Sequence, residues 1–447
     1  GTVSVPIKSI SEDGTMLAYG TSDGGSDWRT LHIRYIDSGR NMTETLHWVK
    51  FSRPTWTHDN NGFYYSRYAE PANPLEDVNE NQKLYYHQIG TPQSKDILVY
   101  ERPDNPKMGF GTTINDAGDT LFLYISEGTD NKNRLYQKRL DDSQAEWVKL
   151  FDQGDAAYSF LGDKKVKDDR NFIAKAINKK AAPPSRRYWI YTNKDAPKGR
   201  VIAIDPEHPQ ESHWSEVIPE SEHVLDSISL TGNRLIAKYL VDARYEVVVF
   251  DLNGNKLSTV PLPGIGSAWG FGGKGNDPET FFAFSGFSTP TRIYKYNTLT
   301  GQAEVWREPK VDFDPEAFET KQVFYSSKDG TKVPMFIMHK KGLQLDGSNP
   351  TLLYGYGGFN ISLTPSFSIS RVVWMEQGGV YVIANLRGGG EYGEAWHKAG
   401  TKKNKQNVFD DFIAAGQWLI DNQYTASDKL GIMGGSNGGL LVGAAIT

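Results

Sequence analysis

The chain has 447 residues, 49 Lys plus Arg against 54 Asp plus Glu (formal charge −5), 45 glycines, 11 Trp, 23 Tyr, 21 Phe and no cysteine. At roughly 150 residues per domain it can bury a sizeable core, and its thinly spread charge excludes a basic stripe for nucleic acid or a polybasic membrane patch. The lack of cysteine excludes disulfides, thiolate catalysis, iron–sulfur clusters and Cys-ligated zinc, and no apolar run approaches the roughly 18 residues of a membrane span.

The N-terminus, Gly1-Thr2-Val3-Ser4, carries neither an initiator Met nor a charged-then-apolar signal. From there one theme repeats to about residue 310. An Asp/Asn–Gly turn precedes a short aromatic or β-branched run, then come a polar loop and a second run. The turns are marked by Gly14, Gly62, Gly118, Gly232 and Gly275, with a weaker copy at Asp168-Asp169. A spacing of roughly 40 to 55 residues per four-strand unit predicts a β-propeller with six visible units. A pair of β-sandwiches is the alternative, because blade length varies and Trp-Asp signatures are absent.

The texture changes near Asp312 to Glu319, setting expected domains at 1–316 and 317–447. Val323-Phe324-Tyr325 and Val333-Pro334-Met335-Phe336-Ile337-Met338 read as a hairpin across Ser327-Lys328-Asp329-Gly330. Buried-type strands follow at 351–354 and 380–384. A helical stripe over 408–422 uses Phe409, Phe412, Ile413, Trp418 and Leu419, and a short strand lies at 430–433. This alternation predicts an α/β domain with a largely parallel sheet.

Directly after that last strand stands Gly434-Gly435-Ser436-Asn437-Gly438-Gly439, and directly after that an apolar helical run to the end. Gly-x-Ser-x-Gly between a strand and a helix is the setting of a nucleophile elbow, where small neighbours let strand and helix approach. Ser436 is the expected nucleophile, and the backbone N–H of Asn437 at the helix start is the expected oxyanion donor. A second cluster, Tyr354-Gly355-Tyr356-Gly357-Gly358-Phe359, follows the 351–354 strand. It supports two readings: a tight loop that needs glycine, or a tyrosine hydroxyl aimed at the oxyanion beside an aromatic wall.

A serine nucleophile needs a base and an orienting carboxylate, which follow it along the chain in this architecture. Residues 437–447 hold no acid and no histidine. His397 and Asp410-Asp411 lie upstream, so His397 reads as a structural or surface residue and the aspartates as charges at a helix N-terminus. The remaining histidines show no metal spacing, and no metal or cofactor is expected. Asn41-Met42-Thr43 and Asn360-Ile361-Ser362 read as chance glycosylation matches.

Taken together, the motifs resemble the prolyl oligopeptidase family. The matching residues are 327–336, Gly355 to Asn360, Asn385-Leu386-Arg387-Gly388-Gly389-Gly390-Glu391-Tyr392-Gly393, Asn404-Lys405-Gln406-Asn407 with Phe409-Asp410-Asp411-Phe412, and Gly434 to Leu441. The resemblance implies a seven-bladed β-propeller capping an α/β-hydrolase domain. It implies a serine endopeptidase that cuts short peptides after proline, needs no cofactor and works in the cytoplasm. By resemblance Ser436 is the nucleophile, and the Tyr356 hydroxyl joins Asn437 N–H in the oxyanion hole. Phe359 lines the proline pocket, and Phe51 in the propeller closes over a more distant part of the substrate.

The expected partners are short proline-containing peptides, with no nucleic acid and no membrane, and the protein acts as a monomer. The expectation is also of a piece lacking one blade and the triad Asp and His, inactive alone. Its alternative compartments are periplasmic or secreted. The rival functions are a sister serine oligopeptidase, a peptide macrocyclase in which an amine resolves the acyl-enzyme, or a non-enzymatic propeller scaffold.

Overall fold

The computed structural model describes residues 2–74, 76–165 and 186–447. Within them the repeated turn signal becomes six antiparallel four-stranded sheets, each running in chain order. They cover 4–49, 55–100, 108–151, 158–218, 224–259 and 267–307. These meanders are β-propeller blades. Gly14, Gly118, Gly232 and Gly275 sit in the turn between the first and second strands of their sheets, and Gly62 opens a second strand. In these five sheets the sequence signal therefore marks a hairpin inside the blade rather than the boundary between blades. The weaker copy at Asp168-Asp169 lies outside the described residues.

Strand alternation supplies the packing faces. Met16–Ser22 buries every other residue, Met16, Ala18, Gly20 and Ser22. One core joins Leu31, Ile33 and Leu46 of the first sheet to Trp56, Phe63 and Tyr65 of the second. The fifth and sixth sheets meet through Ile236, Val247, Phe282 and Tyr296. A single blade cannot cover both of its faces, so its stability comes from neighbours. Two compact units result: Gly1–Lys194 with Ile202–Ser215, and Asp195–Val201 with Glu216–Thr447.

The second unit also contains a five-stranded mixed sheet. Its order is Phe318–Ser326, Lys332–Lys340, Val380–Ala384, Thr351–Tyr354, Leu430–Met433. The first two strands form the expected hairpin, and the last three run parallel to one another. Val380–Ala384 is buried throughout, as a strand covered on both faces must be.

The helix Gln406–Asp421 covers one face through Val408, Asp411, Phe412, Ala415, Gly416 and Leu419. Its buried line advances by three and four residues, while Ile413, expected in the stripe, turns outward and is half exposed. Among the described residues no helix is long and apolar enough to cross a membrane.

Candidate active site

Three glycine-rich loops leave the carboxyl ends of three neighbouring parallel strands: 355–360 after Thr351–Tyr354, 385–393 after Val380–Ala384, and 434–436 after Leu430–Met433. Parallel strands put these ends on one side of the sheet, the usual place for a site in an open α/β fold.

Ser436 occupies the last of these loops at φ 52°, ψ −117°, a region that non-glycine residues avoid. It immediately precedes the helix Asn437–Ala445. Strand and helix come so close that a Cβ on Gly434 would lie 2.3 Å from the Gly438 carbonyl oxygen. A Cβ on Gly438 would lie 2.7 Å from the Gly355 carbonyl oxygen. These two glycines are required by contact, whereas a Cβ on Gly435 or Gly439 would meet nothing within 4 Å. Asn437 is the first helical residue, directly after Ser436, so its N–H has no intrahelical partner one turn back.

The Asn437 side chain adds a link that sequence reasoning missed. Its Nδ2 donates to the Tyr356 carbonyl at 2.6 Å, and its Oδ1 accepts from Lys405 Nζ at 3.3 Å. Lys405 also donates to the Gly357 carbonyl at 2.8 Å, and partial burial holds its pKa below the ordinary lysine value. A Cβ on Gly358 would lie 2.5 Å from Asn437 Nδ2. The serine elbow and the tyrosine loop are therefore bolted together by Asn437 and Lys405. The Asn404–Asn407 motif carried the signal for Lys405 without revealing its role.

Beneath these loops lies an ionic cluster. The Arg387 backbone N–H and Nε donate to Asp411 Oδ2 at 3.1 and 3.0 Å, and an Arg387 terminal nitrogen donates to Oδ1 at 2.6 Å. The guanidinium also reaches Asp329, Thr331 Oγ1 at 3.2 Å and Ser327 Oγ at 3.3 Å. Asp411 is wholly buried and Arg387 nearly so. This corrects the reading of Asp411 as a helix-terminal charge. The helix begins at Gln406, so Asp411 falls in its second turn and points inward. The cluster holds Arg387-Gly388 against the tyrosine loop, where a Cβ on Gly388 would lie 2.7 Å from the Gly357 oxygen.

His397, expected as a structural or surface residue, sits beside the tyrosine loop. Its Nδ1 stands 3.1 Å from the Asn360 N–H and 2.8 Å from the Gly388 oxygen.

Tyr356 and Phe359 thus stand in the loop joined to Ser436 and Asn437. Phe359 adopts φ 54° and is 61% exposed. Phe51 belongs to the other compact unit, where it follows Asn41–Val49 at φ 54°, is 71% exposed and has Lys50 Nζ 5.4 Å from its ring.

Residues 1–309 match the family described as prolyl oligopeptidase, N-terminal beta-propeller domain, and residues 365–447 match the prolyl oligopeptidase family. A prolyl endopeptidase of Elizabethkingia meningoseptica is 40% identical over 450 residues, covering all of this chain and 60% of its own length. A dual function macrocyclase-peptidase of Galerina marginata is 33% identical, over all of this chain and 61% of its own. Among solved structures, one from a study of two prolyl endopeptidases superposes with a TM-score of 0.89 at 40% identity, covering 99% of this chain and 62% of that one. Prolyl oligopeptidase B from Galerina marginata, bound to a 35-residue hydrolysis and macrocyclization substrate, superposes at 0.88 and 32% identity, over all of this chain and 61% of that one. The chain thus spans about 60% of the length of the curated relatives it matches.

Proposed function

This chain belongs to the prolyl oligopeptidase family, and on that premise we propose that the protein is a serine endopeptidase cleaving short peptides on the carboxyl side of proline. The observation that carries this reading is Ser436 at φ 52° on a strand-to-helix turn, joined through Asn437 to the Tyr356 loop.

In the proposed reaction Ser436 Oγ attacks the scissile carbonyl and loses its proton to a base. The developing oxyanion accepts hydrogen bonds from Asn437 N–H and the Tyr356 hydroxyl, and collapse expels the amine and leaves an acyl-enzyme. Phe359 offers its exposed face to the proline ring, for which stacking suits a flat apolar group better than polar contacts do. Phe51 meets a more remote part of the peptide. Water then releases the acid. An incoming amine would instead release a cyclic peptide, a second reading favoured by the similarity to the macrocyclase-peptidase.

Residues 437–447 supply neither acid nor histidine, so the 447-residue chain by itself is proposed not to turn over. We further propose domains of 1–316 and 317–447, a monomeric protein and a cytoplasmic location. The test is a fluorophosphonate probe followed by peptide mapping. In the full-length protein it should label Ser436, and the 447-residue chain should label far more slowly. Equal labelling of both would overturn the proposed inactivity, and failure to label Ser436 in the full-length protein would overturn the peptidase reading.

A further inference from the structure

Glu391 is a wholly buried carboxyl group in the middle of the Gly389-Gly390-Glu391-Tyr392-Gly393 loop, and the mechanism above does not use it. One of its oxygens, Oε1, accepts from the Leu363 N–H at 2.9 Å and from Asn385 Nδ2 at 3.2 Å. The other, Oε2, is buried with no donor. Two further buried acceptors around the same segment, Asn385 Oδ1 and Asn360 Oδ1, also lack donors. Turning the Asn385 amide over would not help, because Nδ2 also donates to the Leu363 carbonyl at 2.6 Å. A Cβ on Gly389 would lie 2.2 Å from Glu391 Oε2 and 2.9 Å from the Ile361 carbonyl. The Glu391 backbone N–H and the Trp396 indole also lie near the carboxyl group, but the indole donates to the Leu386 carbonyl at 3.1 Å and neither hydrogen-bonds Oε2.

A buried carboxyl oxygen that no donor reaches, as Oε2 is, is less costly protonated than charged. We propose that Glu391 is a positioning residue held as the neutral acid. Its O–H is the missing donor that pins segment 360–363, and its ionisation loosens that segment.

Among the described residues, no charged group near it forms an ion pair with the Glu391 carboxyl. Tyr392 is its neighbour and donates to Asp242 of the fifth blade at 3.0 Å. Tyr245, from the same blade, stands near Asp226 and Glu391. Lys198, near Gly393, is engaged by the Glu222 carbonyl. His397 Nδ1 lies within hydrogen-bond distance of the Asn360 N–H and the Gly388 oxygen and bonds one or the other according to its tautomer. Burial accordingly raises the carboxyl pKa from 4.5 to about 7.

The consequence is local. Segment 360–363 continues directly from Phe359, and both Phe359 and Asn360 sit at positive φ. Opening the segment to water would return Glu391 to an ordinary pKa, so the open form binds fewer protons than the closed one between about pH 4.5 and 7. The sign follows: closure is favoured at low pH, and the advantage falls as pH rises through that window. From pH 5 to pH 8 the opening constant should rise on the order of fiftyfold.

Hydrogen exchange at the Leu363 amide, corrected for the intrinsic rate, reads this constant in the full-length protein and does not depend on peptidase activity. The parent should show the rise. Glu391→Gln, whose amide NH₂ replaces the acid O–H, should hold it within a few-fold across the same range. A flat parent profile, or an equal rise in the Gln variant, would overturn the proposal. So would parent protection at constant pH that depends on added Na⁺ or Ca²⁺, which would put a cation where the proton is assigned. Should Glu391→Gln fail to fold, the parent profile and its protonated-carboxyl infrared band, present at pH 5 and lost by pH 8.5, decide the matter. An absent band would also overturn it.

Discussion

The Asn437 side chain donates to the Tyr356 carbonyl at 2.6 Å, so the residue after the nucleophile holds in place the residue proposed to complete the oxyanion hole. One residue thus has two separable parts, a backbone N–H proposed for catalysis and a side chain that sets the distance between loops. Lys405 shares the second task through the Gly357 carbonyl.

Asn437→Ala keeps the backbone N–H and removes only the side-chain link. In the full-length protein kcat should fall by roughly 10- to 100-fold with KM little changed, since a small misplacement of an oxyanion donor acts on the transition state. Lys405→Met should do the same more weakly. Steady-state kinetics on a fluorogenic proline peptide check both.

Gly434 and Gly435 are adjacent and compositionally identical, yet their surroundings differ. Gly434→Ala drives a Cβ to within 2.3 Å of the Gly438 oxygen and should cost at least about 3 kcal/mol or prevent folding. Gly435→Ala, with open space around it, should cost under about 1 kcal/mol. Denaturant unfolding of the two variants tests the contrast.

Asp411→Ala leaves the buried Arg387 guanidinium with Asp329 as its one charged partner among the described residues, and it should destabilise the α/β part by about 3–5 kcal/mol. The double replacement Arg387→Met with Asp411→Leu removes both charges and should recover much of that loss. Chemical denaturation monitored by tryptophan fluorescence measures the difference.

Phe359→Ala should change recognition rather than stability, because the ring is 61% exposed. Its loss should raise KM for proline substrates by roughly 10- to 100-fold, the equivalent of losing one apolar ring contact. The unfolding midpoint should stay within error of the parent.

The parts legible in sequence are those in which chemistry and position coincide locally. The turn glycines announced the blades because a tight hairpin needs them every blade. Gly-x-Ser-x-Gly announced the elbow because strand, turn and helix are contiguous. The Arg387–Asp411 pair was hidden because its members lie 24 residues apart. A shift of two residues in the expected helix start also hid the inward direction of Asp411. Glu391 read as one residue of a glycine motif, since nothing in the sequence tells a buried acid from an exposed one. Asn437 was valued for its backbone alone, because the partner of its side chain, Tyr356, comes from a strand loop 81 residues earlier.

The central claim is that Ser436 serves a proline-directed peptidase, and kcat/KM for the full-length protein on matched fluorogenic peptides ending in Pro, Arg or an acetylated amino acid tests it most directly. The account predicts that cleavage after proline exceeds the others by at least about 100-fold and that Ser436→Ala loses at least about 10³-fold. Comparable cleavage after arginine, or proline cleavage that survives Ser436→Ala, would contradict it.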